Sequence, residues 1–104
     1  MTRTEHLLTI LAEECAEVAQ RASKALRFGL AEVEPGQPLT NAQRLMREVN
    51  DLIAVYQMLA GPVVSPTTPL FKGDPNEWMV WFREKHAKVE KYLSYSRECG
   101  TVDG

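Results

Sequence analysis

The sequence predicts an all-α protein: an antiparallel helical bundle of three main helices per chain, completed by oligomerisation. Three observations lead there. Apolar residues recur at helical spacing in three segments, and each segment opens on a capping signal. No stretch alternates with period two for long enough to make a convincing strand, and the Val63-Val64 pair is too short to count. The apolar arcs of the helices are also too wide for one subunit to cover, which is the reason for expecting partners.

Each helix is bounded by recognisable chemistry. Thr2 with Glu5 has the S/T-x-x-E form of a capping box, in which a hydroxyl and a carboxylate satisfy two otherwise orphaned N–H groups. The first helix is expected to run to about Arg27, with Gly29 closing it. The stretch "LAEVEPGQPL", residues 30–39, carries two prolines and a glycine and reads as a loop. Thr40 with Gln43 is a second box, opening a helix that lasts to about Ala60 and stops at "GP". The segment "GPVVSPTTPLFKG" holds three prolines and cannot continue as regular helix. Asp74 as cap, Pro75 at the first helical position and Glu77 in the first turn open the third helix. It is expected to end near Ser96, leaving 97–104 as a flexible tail.

At 104 residues the chain has room for one core and not two, so 1–104 reads as a single domain. A net charge of −2 supplies no basic field, which argues against duplex nucleic acid as a partner. No apolar run approaches the ~18 residues of a membrane span. The N-terminal "MTRTEHLLTI" passes straight into a charged helix and not into a leader cleavage region, so a cytoplasmic location is expected. Cys15 and Cys99 read as reduced thiols, and His6 and His86 as isolated side chains without zinc-site spacing.

Two segments break the ordinary pattern of acids facing away from the core. "AEECAEVAQ" (12–20) and "REVNDLIAV" (47–55) each place two carboxylates three apart, Glu14 with Glu17 and Glu48 with Asp51. At about 100° per residue, Leu7, Leu11, Cys15, Val18, Ala22 and Ala25 fall within about 20 to 100° of Glu14 on one side. Glu17 lies about 60° away on the other side. The second helix repeats the arrangement, with Leu45, Val49, Leu52, Tyr56 and Leu59 on the apolar arc and Asp51 about 60° from Glu48 on the other side. Packed antiparallel, the helices would bring four carboxylates together at the rim of the core. Such anions raise one another's pKa values and need protons, basic partners or a metal to neutralise them. A hard divalent cation such as Mg²⁺ fits, because it takes a few carboxylates and keeps water for a substrate phosphate. A single pair of this kind is usually a solvated helix face; two pairs with matching offsets are a stronger signal. Glu13 lies further round and reads as surface or as a more distant neighbour of the ion.

"EECAEV" followed by "EVNDLIAV" resembles the EExxE…ExxD signature of the MazG-like, all-α nucleoside triphosphate pyrophosphohydrolases. The similarity covers about residues 5–60 and, less clearly, the third helix. It implies Mg²⁺, with Mn²⁺ as a substitute, held by Glu14, Glu17, Glu48 and Asp51, the same four being the catalytic residues. It further implies water attack at the α-phosphate of a nucleoside triphosphate, giving the monophosphate and pyrophosphate, in a homodimer or homotetramer. The loop between the acid pairs is long, and Asn50 stands where the family often has a small residue before the aspartate. Neither departure removes a ligand, and the longer loop bears on which substrate is taken. No serine, cysteine or histidine nucleophile is evident, as expected where metal-bound water attacks.

A triphosphate also needs cations. Lys24 shares a stripe of the first helix with Glu17 and Arg21, and "REKHAKVEKYL" brings Arg83, Lys85, Lys88 and Lys91. Lys24, Lys85 and Lys88 are the phosphate candidates, and Trp81 is the candidate for stacking on a base. Against these stand a solvated basic face and an ordinary aromatic core or dimer contact. Two other functions compete: phosphoribosyl-ATP hydrolysis at a related site, and a non-catalytic helical interaction module whose acids are surface only. The module predicts neither stabilisation by Mg²⁺ nor pyrophosphate release.

Overall fold

A computed structural model of the chain describes residues 1–60 and 75–103, with all their side chains except those of Pro75 and Trp78. Three helices make up the described secondary structure: α1 (Arg3–Phe28), α2 (Asn41–Ala60) and α3 (Pro75–Glu98). There is no strand among the described residues. No helix is long and apolar enough to cross a membrane, among the described residues. The chain divides into two compact units, Met1–Lys72 and Gly73–Gly104.

In the first unit, the helix signals operate largely as the sequence predicts. Thr2 Oγ1 accepts from the Glu5 amide at 3.1 Å, which caps α1. The α2 box is fully reciprocal. Thr40 Oγ1 accepts from the Gln43 amide at 3.1 Å, and Gln43 Oε1 accepts from the Thr40 amide at 2.9 Å. Between the helices, Glu34-Pro35-Gly36-Gln37 closes a turn in which the Gln37 amide donates to the Glu34 carbonyl at 2.9 Å. Proline second and glycine third, with φ +85° at Gly36, is the type II pattern, which strongly favours glycine at that third place.

The loop then wraps the start of α2. The Asn41 amide donates to the Glu32 carbonyl at 2.9 Å, and the Ala42 amide to the Leu30 carbonyl at 3.0 Å. The Asn41 side chain, 3 % exposed, donates through Nδ2 to the Gly29 carbonyl at 2.9 Å. The end of α1 is thereby tied to the start of α2, while Glu14 and Glu17 in the middle of α1 meet Glu48 of α2. The two helices therefore run antiparallel. Leu7 near the start of α1 and Leu59 near the end of α2 are buried, as is Ala25 at the loop end. Leu11, Val18, Leu45, Val49 and Leu52 are half-buried along the same seam. The arcs predicted from the sequence are only partly covered, since Cys15, Ala22 and Tyr56 are exposed. One helix pair closes a single narrow stripe, and the flanks of each arc lie outside it.

In the second unit, α3 begins at Pro75, and the expected Asp74 cap and the preceding "GPVVSPTTPLFKG" fall outside the described residues. The helix runs two residues past Ser96, to Glu98, and is followed by a capping turn. The Thr101 amide donates to the Ser96 carbonyl at 3.0 Å, and the Gly100 amide to the Arg97 carbonyl at 3.0 Å. With Gly100 at φ +76°, this is a Schellman motif, in which glycine takes up the left-handed turn.

Candidate metal centre

The acid pairs come together where α1 and α2 cross. Glu14, Glu17 and Glu48 each offer a carboxylate oxygen, and these oxygens all lie within 4.8 Å of one another. Oxygens around one Mg²⁺ at ~2.1 Å sit about 3 to 4 Å apart, so small side-chain rotations would bring the three onto one ion. Asp51 stands outside this group of three but close to it, since its charge acts on both Glu14 and Glu48. Glu13 is exposed and exerts the smallest of the repulsions on Glu14, as its angular position predicts.

The electrostatics follow from that crowding. Loss of hydration pushes the Glu14 carboxyl above the usual carboxylate range, with repulsion from Asp51 and then Glu48 adding to it. Glu48 is also pushed up, first by a hydrogen bond with Glu17 that favours its protonated form, then by loss of hydration and by the charges of Glu17 and Asp51. Arg21 pulls Glu48 back, but by less than either neighbouring acid pushes it.

The donor set fits a hard cation. Glu14 Oε2 and Glu48 Oε2 are buried and accept no hydrogen bond. A buried carboxylate oxygen without a donor is unfavourable by itself, and an oxygen-ligated divalent ion would relieve it. The lone cysteines do not enter, because Cys15 and Cys99 are both exposed thiols and the cluster is all oxygen.

The substrate candidates separate. Lys24 is half-buried and lines a cavity of about 310 Å³ with Arg27, Phe28, Glu32, Glu34, Pro35 and Asn41, beside the interhelical loop. Lys85, Lys88 and Trp81 are exposed on α3, in the second unit, with Lys85 beside Phe82, His86 and Val89. The cavity that reaches the acids is a different one, of about 320 Å³, lined by Arg21, Arg44, Arg47, Glu48, Asp51 and the loop residues Gln37, Pro38 and Leu39. Its arginines were not picked out from the sequence as substrate contacts. Arg44 and Arg47 do precede Glu48 and Asp51 at helical spacing, and that was the available signal.

Comparison of the chain with protein-family models, with characterised proteins and with solved structures gives no match in any of the three.

Proposed function

We propose that the chain is a Mg²⁺-dependent nucleoside triphosphate pyrophosphohydrolase, cleaving a (d)NTP at the α-phosphate to the monophosphate and pyrophosphate. One observation carries this reading: the convergence of Glu14, Glu17 and Glu48, with buried, unpartnered oxygens on Glu14 and Glu48, beside a cavity lined by arginine. The likeness of "EECAEV" and "EVNDLIAV" to the MazG-like signature supports it. Glu14, Glu17 and Glu48 would hold the ion, with Asp51 beside them as fourth carboxylate. A divalent cation there supplies neutralising charge for the phosphates and makes a bound water more acidic. The chain's own work is to fix that geometry and to accept the proton that an attacking water gives up, on a carboxylate oxygen of the cluster.

The unit that acts is proposed to be a homodimer or homotetramer in which helix bundles are shared between chains. Leu26 and Met46 are 88 % and 59 % exposed, and Leu8 and Ile53 are also exposed. Apolar side chains left in water on an amphipathic helix pair are what a second copy would cover. Light scattering should return a mass of two or four chains, and a monomer at micromolar concentration would contradict it.

A panel of canonical and damaged NTPs and dNTPs, assayed for products with Mg²⁺, tests the reaction. The expected products are monophosphate and pyrophosphate in equal amounts. A diphosphate with orthophosphate would mean attack at the γ-phosphate and would overturn the assignment.

A further inference from the structure

We propose that the arginine-lined cavity beside the carboxylates receives the polyphosphate chain of the substrate, with Arg21 and Arg47 as its contacts. This deepens the pyrophosphohydrolase reading and rests on it for the identity of the ligand as a nucleotide.

The argument begins with register. On α2, Arg44, Arg47, Glu48 and Asp51 are spaced three, four and seven residues from the first, which puts them on one stripe. On α1, Arg21 follows Glu17 by one turn on the same stripe. Because the helices run antiparallel, acids meet acids at one level and arginines meet arginines at the next. A fold that neutralised itself would interleave the two signs. Of the three arginines only Arg44 has an ion-pair partner among the described residues, so a cation on the acids with an anion on Arg21 and Arg47 would satisfy both groups at once.

The arginines differ in how far they are committed. Arg44 is paired with Glu34, and that guanidinium holds the Glu34 carboxyl below its usual range. Arg44 is therefore a fixed wall of the cavity. Arg21 is half-buried, and its Nη1 is buried with no hydrogen-bond partner. A cationic donor left in that state is aimed at an acceptor the chain does not supply. Arg47 is exposed and has no ion-pair partner among the described residues. Two guanidinium forks on one cavity suit bidentate capture of phosphate oxygens better than lysine does. The volume, about 320 Å³, sits at the lower end of the small-ligand range. That suits a phosphate chain, with the nucleoside projecting beyond the cavity.

The test uses the full chain in EDTA, with inorganic tripolyphosphate as the calorimetric probe. Wild type should bind it, more weakly as salt is added. Arg47→Ala should weaken binding at least about tenfold, the worth of one charge-assisted hydrogen bond, and Arg47→Lys should recover part of it. Arg21→Ala should do the same, and Arg3→Ala at the start of α1 should change nothing. Arg47 is exposed, so its variant keeps the fold even if loss of half-buried Arg21 does not. Wild type failing to bind tripolyphosphate, or Arg47→Ala binding like wild type, overturns the proposal. Binding that needs Arg47 without any nucleotide turnover would support the anion pocket and sink the hydrolase reading. Turnover to pyrophosphate with an unchanged KM in Arg47→Ala would do the reverse.

Discussion

Glu48 of α2 and Glu17 of α1 bring carboxylate oxygens within 4.8 Å of each other, so two groups that repel when ionised are held together in the fold. Burial and the neighbouring acids favour the protonated form of Glu48. A proton, a basic side chain and a cation compete to neutralise this pair.

Stability without metal should fall as pH rises. Glu14 and Glu48 are raised above the ordinary carboxylate value of about 4.3, so the folded chain holds their protons longer than the unfolded chain does. Their contribution is fully present below that value and is lost as pH climbs through the raised ones. Glu34, lowered by Arg44, acts in the opposite sense and loses its contribution as pH falls. Glu48→Gln keeps Glu34 and mimics a permanently neutral Glu48. Urea unfolding in EDTA should therefore show wild type and Glu48→Gln close together at acid pH, with wild type falling behind from about pH 4.3 upward. Parallel curves across the range would refute the raised pKa of Glu48.

Activity should depend on all four carboxylates together. Replacing Glu14, Glu17, Glu48 or Asp51 with alanine should each lower turnover on the order of 10²-fold or more. Double variants should lose little further, because the first already disables the shared ion. Metal-free stability should be unchanged or improved in the same variants, since each removes a repelling anion. Glu13→Ala should be milder on both counts. Full activity in Asp51→Ala would reduce the site to the three glutamates whose oxygens lie within 4.8 Å of one another.

The interhelical loop should hang on Asn41. Its side chain is buried and donates to the Gly29 carbonyl, so Asn41→Ala leaves that acceptor only the longer bond from the Glu32 amide, at 3.4 Å. A loss of about 0.5 to 1.5 kcal/mol in urea unfolding is expected, the net worth of one hydrogen bond. An unchanged midpoint would mean that the backbone bonds from Asn41 and Ala42 suffice to hold the loop.

The acid pairs were legible because angle around a helix follows from residue number alone. Height against a partner helix does not. Arg21 and Lys24 lie on one stripe, yet only the register sends Arg21 to the acid-lined cavity and Lys24 to another. The Gln37, Pro38 and Leu39 wall depends on how the loop folds back, which no local pattern specifies. Asn41 is the first residue of α2, and its burial is a property of the loop wrapped over it. Gly100 was a stop signal in plain view, and the Schellman cap shows that it closes α3. Tyr56 and Cys15 belonged to well-drawn apolar arcs but lie on flanks that the α1–α2 seam does not cover.

Direct titration of Mn²⁺ into the metal-free protein, followed by calorimetry with melting curves in Mg²⁺ alongside, tests the central claim. Wild type should bind the ion and melt higher in its presence, because a ligand that binds only the folded state stabilises it. Glu17→Gln should keep its helical spectrum and lose most of both effects. Superimposed melting curves with and without metal in wild type, and no heat of Mn²⁺ binding, would contradict the assignment of Glu14, Glu17, Glu48 and Asp51 as a metal centre.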